Sequence, residues 1–470
     1  MLFPTLGFLA FFLVVAAAMA ALEQRFEAKK ALLVVASYFF YAQWNWRFCF
    51  LLAFSTAVSY AGGLCIAGSR DPRRRRAFLA GAVAIHLSLL GFFKYFDFIT
   101  LSANQLAHLL GLEHELPFIE VLLPLGISFF TFHGISYLTD VYRGDVAVCR
   151  RPIDMLLYMS FFPQLVAGPI VRASYFLPQL RAPAVQPIPL AASLLLILGG
   201  LFKKVVVANY LATQLVDPVF ADPTNYGGPD LLLAVYGYAV QIYCDFSAYS
   251  DMAIGMAALV GFRFPPNFAQ PYRAERLREF WQRWHISLST WLRDYLYKPL
   301  GGNRRGRLKT YRNLLVTMLL GGIWHGAGWK FLAWGALHGG GLAVERALEP
   351  WLGRAAQSAW GRLSSRLVVF HFVCLGWIFF RAEDFTVASI YLGRLATGWS
   401  AGLQAAQPFP VLLILFGLAA QFIPKDFFER AVDALGRLPV WGQGSLAGLA
   451  VATINALGPA GVAPFIYFRF

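Results

Sequence analysis

Charged residues are scarce in this chain of 470 residues. Asp, Glu, Lys and Arg make up 14% of it, whereas a soluble domain carries about 25%. The five cysteines are scattered without a CxxC pair, so we expect neither a disulfide framework nor a bound metal. The motifs HExxH, GxxxxGK[ST] and GxSxG are also absent. Zinc-protease, phosphate-loop and serine-hydrolase chemistry therefore have no support in the sequence.

Hydrophobic residues are correspondingly abundant. They make up 58% of the chain, the mean hydropathy is +0.56, and apolar runs near the length of a membrane-spanning helix recur. These runs are too long for barrel strands, so we predict an all-α polytopic membrane protein forming one domain over 1–470. The first run, 1–21, lacks a basic leader and is interpreted as a retained helix. The predicted spanning or buried segments are 3–22, 31–50, 51–68, 77–98, 120–139, 155–171, 188–206, 231–260, 312–325, 329–345, 366–381, 409–423 and 443–460.

The net charge of +15 lies mostly in short clusters, which in a membrane protein indicate topology and not nucleic-acid binding. The clusters at 70–76 and 303–312 are predicted to face the cytoplasm. The loop predicted over 99–119 has no Lys or Arg and is expected outside. Proline and glycine at 163–169 predict a broken segment, 347–365 is expected to be a surface connection, and 424–442 to hold a short interfacial helix.

The segment 274–297 differs from the rest because its apolar and polar residues separate onto two faces of a helix. This pattern predicts an amphipathic helix or helix pair at a membrane interface. A peripheral anchor is the simplest interpretation. His285, however, falls at the edge of the apolar arc, next to Trp284, and faces protein or lipid instead of water.

His325 is the strongest candidate for a functional side chain at membrane depth. It follows an apolar run, and Gly321, Gly322, Gly326 and Gly328 surround it. These glycines allow either a substrate or another backbone to come close, and Trp324 is a candidate wall of a narrow passage. A hydrogen-bonded histidine at a glycine-packed helix crossing is the alternative interpretation.

His338 lies 13 residues beyond His325, which on a continuous helix is a turn of about 220°, onto the opposite face. It reaches the same site only if the helix breaks near 326–328. His133 is a candidate tunnel residue. His86 and His371 are expected to pack between helices, and His108 and His114 to lie in the external loop.

Asp245 and Asp251 stand in an apolar stretch, which leaves several functions open. Paired carboxylates are compatible with a proton relay in a transporter or flippase. They are equally compatible with a bent helix, and the Ser247 and Ser250 neighbours favour a local hydrogen-bonded turn at Asp245. A scaffold of a secretion complex is the third possibility.

Two long motifs, FWQRWHISLSTWLRDYLYKPLGGNR (280–304) and GGIWHGAGWKFLAWGALHG (321–339), resemble the membrane-bound O-acyltransferase family. LPLGISFFTFHGISYLTDVYRGD (123–145), PQLVAGPIVR (163–172), YCDFSAYSDMAIG (243–255) and FIYFRF (465–470) resemble its bacterial branch that O-acetylates exopolysaccharides such as alginate or cellulose. The resemblance implies a ring of tilted helices around a funnel. It also implies a central catalytic histidine at His325, and a second polar position at His285 that is often Asn in eukaryotic members.

The resemblance further implies acetyl-CoA as a donor substrate, with no permanently bound cofactor. Its phosphates suit the basic cluster at Arg304, Arg305, Arg307 and Lys309. His325 would act as general base or carry the acetyl group transiently, and His285 would orient the acceptor or polarise the thioester. The expected location is the bacterial inner membrane, with a periplasmic acetyltransferase as partner.

Overall fold

The structure, a computed structural model, describes residues 3–22, 25–112, 116–117, 119, 121–166, 168–181, 189–355, 358–400, 402–424 and 426–459. These residues form helices and connecting turns and contain no strand, which confirms the all-α prediction. The chain divides into two compact units. The first is Met1–Ile188 with Ala257–Phe264, and the second is Pro189–Met256 with Pro265–Phe470. The single domain and the ring of helices stay predictions.

The first unit is built from nine α-helices. They are α1 Leu6–Ala21, α2 Phe26–Asn45, α3 Phe48–Gly68, α4 Pro72–Leu90, α5 Phe96–Leu109, α6 Ile127–Arg143, α7 Pro152–Ser160, α8 Phe162–Leu165 and α9 Ala173–Phe176, with a π-helical turn at Gly91–Tyr95.

A small residue and an ion pair hold the first unit's helices together. A Cβ at Gly134 on α6 would lie 2.7 Å from the Ser59 hydroxyl on α3, so the glycine permits close contact there. Lys30 on α2 pairs with Asp154 on α7 at 2.7 Å, and both side chains are buried. A buried charge is tolerated when it is paired in this way.

The second unit contains the remaining helices. They are α10 Leu190–Phe202, α11 Asn209–Leu211, α12 Asp217–Ala221, α13 Gly228–Leu259, α14 Leu277–Arg283, α15 Ile286–Leu292, α16 Arg307–His325, α17 Trp329–Ala355, α18 Ala359–Arg381, α19 Phe385–Thr397, α20 Pro408–Ala419, α21 Asp426–Gly436 and α22 Val440–Leu457. The last turn of α13 belongs to the first unit. Further π-helical turns lie at Lys203–Ala208, Ala212–Val216 and Arg293–Tyr297.

Helices α16 and α17 form a hairpin whose backbones touch. A Cβ at Gly335 would lie 2.5 Å from the Met318 carbonyl oxygen, and one at Gly339 would lie 2.8 Å from the Leu315 Cα. Glycines at both positions let the two helices pack at backbone distance, as small residues do in membrane proteins.

Among the described residues, five helical segments are long and apolar enough to cross a membrane. A sixth follows if the pair Pro408–Phe422 and Asp426–Gly436, bent by 95°, counts as one span. The five are Phe48–Gly68, Pro72–Leu109, Leu190–Ala221, Gly228–Leu259 and Ala359–Arg381. The other predicted segments are largely helical, but their helices are shorter or carry more charge, as α16 does at Arg307, Lys309 and Arg312.

The predicted break within 155–171 is confirmed at Phe161, where α7 ends and α8 begins. The backbone groups freed there are satisfied locally, since Gln164 donates to the Tyr158 carbonyl at 2.6 Å and Phe162 N–H to the Ser37 hydroxyl at 3.1 Å.

The described residues of 347–365 are largely exposed, as expected of a surface connection, but most of them are helical. Helix α17 runs on past Pro350, and α18 begins at Ala359 under a Ser358 cap that accepts from Gly361 N–H at 2.9 Å. The loop predicted over 99–119 is wrong over its first half. The stretch 99–119 is helical as far as Leu109 and places His108 on α5, while His114 lies outside the described residues. The short helix expected within 424–442 is confirmed as α21.

Candidate active site

The segment predicted to be amphipathic folds as two short helices with a sharp turn between them. Helix α14 ends at Arg283 and α15 begins at Ile286, and His285 occupies the left-handed region with φ 43° and ψ 57°. Its side chain is fully buried. A left-handed backbone is uncommon for a residue other than glycine and is maintained only where surrounding contacts hold it.

The His285 ring caps the helix that follows it. Its Nδ1 accepts the backbone N–H of Leu288 at 3.3 Å, and its ring lies 4.5 Å from that of Phe246 and 6.2 Å from that of Trp324, between ring centroids. Burial lowers the pKa of the His285 imidazole to about 3, so the ring is neutral at physiological pH.

His325 is the last residue of α16, and its side chain is 4% exposed. The aromatic rings around it include those of Trp324, Trp334 and Phe380, with centroid distances of 5.0, 5.0 and 5.2 Å. The next residue, Gly326, has extended backbone and ends the helix. Carbonyl dipoles at a helix C-terminus favour the positively charged form of an imidazole.

The predicted break between His325 and His338 is confirmed, because α17 starts at Trp329 and folds back along α16. As a result His338 lies 4.7 Å from the Trp334 ring and 5.2 Å from that of Trp281. The three histidines are therefore linked by shared tryptophans: Trp324 contacts His285 and His325, and Trp334 contacts His325 and His338. We call these five residues the histidine row.

Two of the four glycines around His325, Gly322 and Gly326, allow close packing within the α16–α17 hairpin. A Cβ at Gly322 would collide with the Phe331 carbonyl oxygen, and one at Gly326 with the Phe331 ring. The sequence allowed either a substrate or another backbone to come close to these glycines, and the structure shows close approach of another part of the chain.

Trp284 and Asp245 both contact buried side chains within the second unit. Trp284 is 2% exposed and packs on Phe268 and Trp377 at 5.1 and 5.0 Å. Asp245 pairs with Lys204 at 2.7 Å, and both side chains are almost completely buried.

The local turn expected at Asp245 is wrong, because α13 is continuous there and both serines bond elsewhere. The Ser247 hydroxyl accepts from Lys203, which also pairs with Asp251 at 2.5 Å, and the Ser250 hydroxyl accepts from Asn267.

His133 belongs to the first unit. Its ring is buried 5.5 Å from that of Tyr158, and neither ring nitrogen has a hydrogen-bond partner within the described ranges. His86 and His371 pack between helices as expected, through the Ser59 hydroxyl at 3.0 Å and the Tyr236 hydroxyl at 2.7 Å. Within the part of the chain that the structure describes, no three His, Cys, Asp or Glu side chains are grouped to hold a metal ion.

A cavity of about 680 Å³ lies in the second unit beside the histidine row. Trp281, which contacts His338, forms part of its wall, as does Ile286, which follows His285. Six cationic side chains line it together with the carboxylates of Glu345 and Glu349. The cations are Arg276, Arg278, Arg293, Lys298, Arg304 and Arg346.

The cations of this cavity differ in how far they are neutralised. Arg293 and Lys298 share Asp294 at 2.9 and 2.7 Å. Across the described residues, the side chains of Arg276, Arg278 and Arg304 have no ion-pair partner. The wall therefore carries uncompensated positive charge.

Of the basic residues proposed from sequence for the donor, the structure brings only Arg304 to this cavity. Arg305, Arg307 and Lys309 are exposed and are not part of its wall. The structure also brings Arg276 and Arg278 to this wall, and neither of them was predicted from the sequence to contact the donor.

The model of the membrane-bound O-acyltransferase family matches residues 149–382. A probable alginate O-acetylase of Pseudomonas putida is 40% identical over 94% of this chain and 94% of its own length. A peptidoglycan O-acetyltransferase of Helicobacter pylori is 38% identical over 81% of this chain and 75% of its own. A teichoic acid D-alanyltransferase of Bacillus subtilis is 28% identical over 56% of this chain and 69% of its own.

Proposed function

The chain belongs to the membrane-bound O-acyltransferase family and is an O-acetyltransferase, and we propose that it passes acetyl groups from cytoplasmic acetyl-CoA towards an exopolysaccharide outside the cell. The observation that carries this proposal is the histidine row beside a cavity walled by uncompensated cations. A transporter or a scaffold requires neither feature.

His325 is the general base of the proposed reaction. It takes the proton from the acceptor hydroxyl as that oxygen attacks the thioester carbonyl, and the proton then passes to the departing thiolate of coenzyme A. Imidazole suits both steps, because its ordinary pKa lies near physiological pH. Attack by the His325 nitrogen itself, with a transient acetyl-imidazole, is the variant of this mechanism that uses the same residue.

His285 assists as a neutral ring. A buried, uncharged imidazole donates one N–H, and such a donor stabilises the negative charge that develops on the thioester oxygen during attack. Trp324 contacts both histidine rings and keeps them at a fixed spacing.

Acetyl-CoA is the proposed donor, and the cation-walled cavity is its proposed site. Arginine side chains bind phosphate through paired, charge-assisted hydrogen bonds. Arg276, Arg278 and Arg304 lack an ion-pair partner in the described parts of the chain and therefore suit the phosphates of coenzyme A. The proposed reaction uses no permanently bound cofactor.

The acceptor is proposed to be an alginate- or cellulose-like polymer, reached through a periplasmic acetyltransferase that receives the acetyl group. The relatives named above support a cell-surface acceptor, since they are named for alginate, peptidoglycan and teichoic acid. The inner membrane, and a passage for the acetyl group that includes His133, belong to the same proposal.

The donor site is tested with Arg276→Gln and Arg304→Gln, using Arg307→Gln as the matched control outside the cavity wall. Membrane vesicles receive radiolabelled acetyl-CoA, and acetyl transfer to secreted polymer is followed. A lost charge-assisted hydrogen bond is worth about 1.5–3 kcal/mol, so KM for acetyl-CoA should rise by about tenfold or more in the two wall variants. The control should keep its KM. Equal effects in all three variants, or in none, would exclude the cavity as the donor site.

The acceptor is tested in a strain that lacks the protein. Acetyl esters are measured separately in alginate, cellulose and peptidoglycan, with restoration by a plasmid copy as control. If acetyl esters are lost from peptidoglycan alone, peptidoglycan is the acceptor in place of the exopolysaccharide. If no polymer loses acetyl esters, acetyl transfer to a polysaccharide is contradicted.

A further inference from the structure

A buried loop residue, Asn267, holds the residues that follow the left-handed turn at His285. Its backbone carbonyl accepts the N–H of Ile286 at 2.9 Å, and its Oδ1 accepts the N–H of Ser287 at 3.1 Å and the Ser287 hydroxyl at 2.9 Å. Asn267 is 1% exposed. The two residues that follow His285 are therefore fixed by one buried side chain and its own backbone.

Asn267 is itself fixed to a long helix. Its Nδ2 donates to the Ser250 hydroxyl on α13 at 3.0 Å. The amide can point only one way, because the Ser287 backbone N–H is a permanent donor and must face an oxygen. The adjacent chain pairs with the same turn, since the N–H of Ala269 donates to the Arg283 carbonyl at 2.9 Å.

The contacts of Asn267 determine which nitrogen of His285 carries the proton. The left-handed backbone brings Nδ1 to the N–H of Leu288, which can only donate, so Nδ1 must be the unprotonated nitrogen. The Ser287 hydroxyl lies 3.4 Å from Nδ1, and whichever acceptor it uses, Leu288 still requires the lone pair of Nδ1. A neutral ring then has its proton on Nε2, which has no hydrogen-bond partner among the described residues.

We infer that Asn267 is a positioning residue that, by holding the turn at 285–287, keeps His285 in the Nε2–H form as a hydrogen-bond donor to the reacting thioester. This inference rests on the proposed function of the histidine row. It gives the two histidines separate tasks, since a ring locked as a donor cannot be the base, and it leaves proton transfer to His325. Asn267 acts through His285 and need not touch the substrate.

The test is a double-mutant cycle of Asn267→Ala and His285→Ala, measured as acetyl transfer from radiolabelled acetyl-CoA to polymer. Loss of one preorganised donor typically costs about 10²–10³ in kcat, so we expect about a hundredfold loss for His285→Ala. We expect at least about tenfold loss for Asn267→Ala, because a released ring adopts the donor geometry only part of the time. In the His285→Ala background, Asn267→Ala should cost almost nothing more, because residues that act as one unit are not additive.

Two further measurements separate positioning from general support of the fold. KM for acetyl-CoA should be unchanged in Asn267→Ala, because neither Asn267 nor His285 lines the cation-walled cavity. Nitrogen chemical shifts of isotope-labelled histidine should show the Nε2–H form for His285, with its signal assigned by its absence in His285→Ala. Ser250→Ala removes the anchor of Nδ2 but keeps the acceptor for Ser287, so it should reduce the rate less than Asn267→Ala does.

The outcomes are distinct. Additive losses in the cycle, or an Nδ1–H ring in the wild-type protein, would overturn the inference while leaving acetyl transfer intact. A fully active His285→Ala would remove the proposed role of His285 and the inference with it. Absence of transfer by the wild-type protein would contradict the proposed function instead. If Asn267→Ala does not accumulate, Asn267→Asp replaces it: the carboxylate keeps the acceptor for Ser287, so a folded but inactive Asp variant would also overturn the inference.

Discussion

Replacing His325 by Gln isolates proton transfer from packing. The His325 ring is almost completely buried, and its aromatic neighbours include Trp324, Trp334 and Phe380 at 5.0–5.2 Å. Such pairs are worth about 0.5–1.5 kcal/mol each beyond buried area, so His325→Ala removes packing as well as the base. Flanking glycines do not relieve this loss, because the hairpin already uses them. Gln retains a planar polar group of similar length.

The expected result for His325→Gln is loss of acetyl transfer with less destabilisation than His325→Ala causes. A general base contributes typically 10²–10⁴-fold, or roughly 3–5 kcal/mol of barrier at 1.36 kcal/mol per decade. The glutamine amide cannot accept a proton at neutral pH, so it should not restore any of this. Initial rates of transfer from radiolabelled acetyl-CoA are measured together with the midpoint of thermal unfolding in detergent.

Phe380→Leu is the matched control for packing around His325. It removes the ring contacts that Phe380 makes with His325, Phe331 and Trp377, and it leaves the imidazole in place. It should lower the unfolding midpoint more than His325→Gln does, while reducing the rate far less. Wild-type activity in folded His325→Gln would refute a proton-transfer role.

Three further predictions concern the helices that carry the site. Gly339→Ala should destabilise the α16–α17 hairpin by about 1–3 kcal/mol, because its Cβ would lie 2.8 Å from the Leu315 Cα. Gly340→Ala is the control, since a Cβ there meets no atom within 4 Å. Equal unfolding midpoints for the two variants would contradict the backbone contact. Lys204→Met should lower the free energy of unfolding by about 3–5 kcal/mol, because it removes the cation that neutralises buried Asp245. The double variant Lys204→Met/Asp245→Leu should recover most of this stability in the same denaturation assay. In a cysteine-free background, Arg305→Cys should react with an impermeant thiol reagent only from the cytoplasmic side and Leu112→Cys only from outside; the reverse pattern would invert the predicted topology.

The histidine positions could be found from sequence because burial of an ionisable residue in an apolar run is visible in the sequence itself. The break that returns His338 to the site was also predictable, since the glycines at 326 and 328 interrupt an otherwise long helical pattern. The helix class of nearly every long segment followed from the same apolar periodicity.

Other parts of the site depend on contacts that are distant in sequence. The left-handed turn at His285 is held by Asn267, 18 positions earlier, and nothing in the local pattern of 280–290 signals it. Lys204 neutralises Asp245 from a different helix, so the carboxylate read as part of a local turn. Arg276 and Arg278 were not predicted to contact the donor because a helical wheel does not show the cavity that the neighbouring helices enclose.

The positive φ at residue 285 also limits what evolution can place there. Most side chains are strained in that region, and Asn, Asp and His are the non-glycine residues that adopt it most readily. If the position must also present an N–H to substrate, Asp and Gly drop out and only His and Asn remain. The conformation of this turn and the need for an N–H donor together restrict residue 285 to His or Asn.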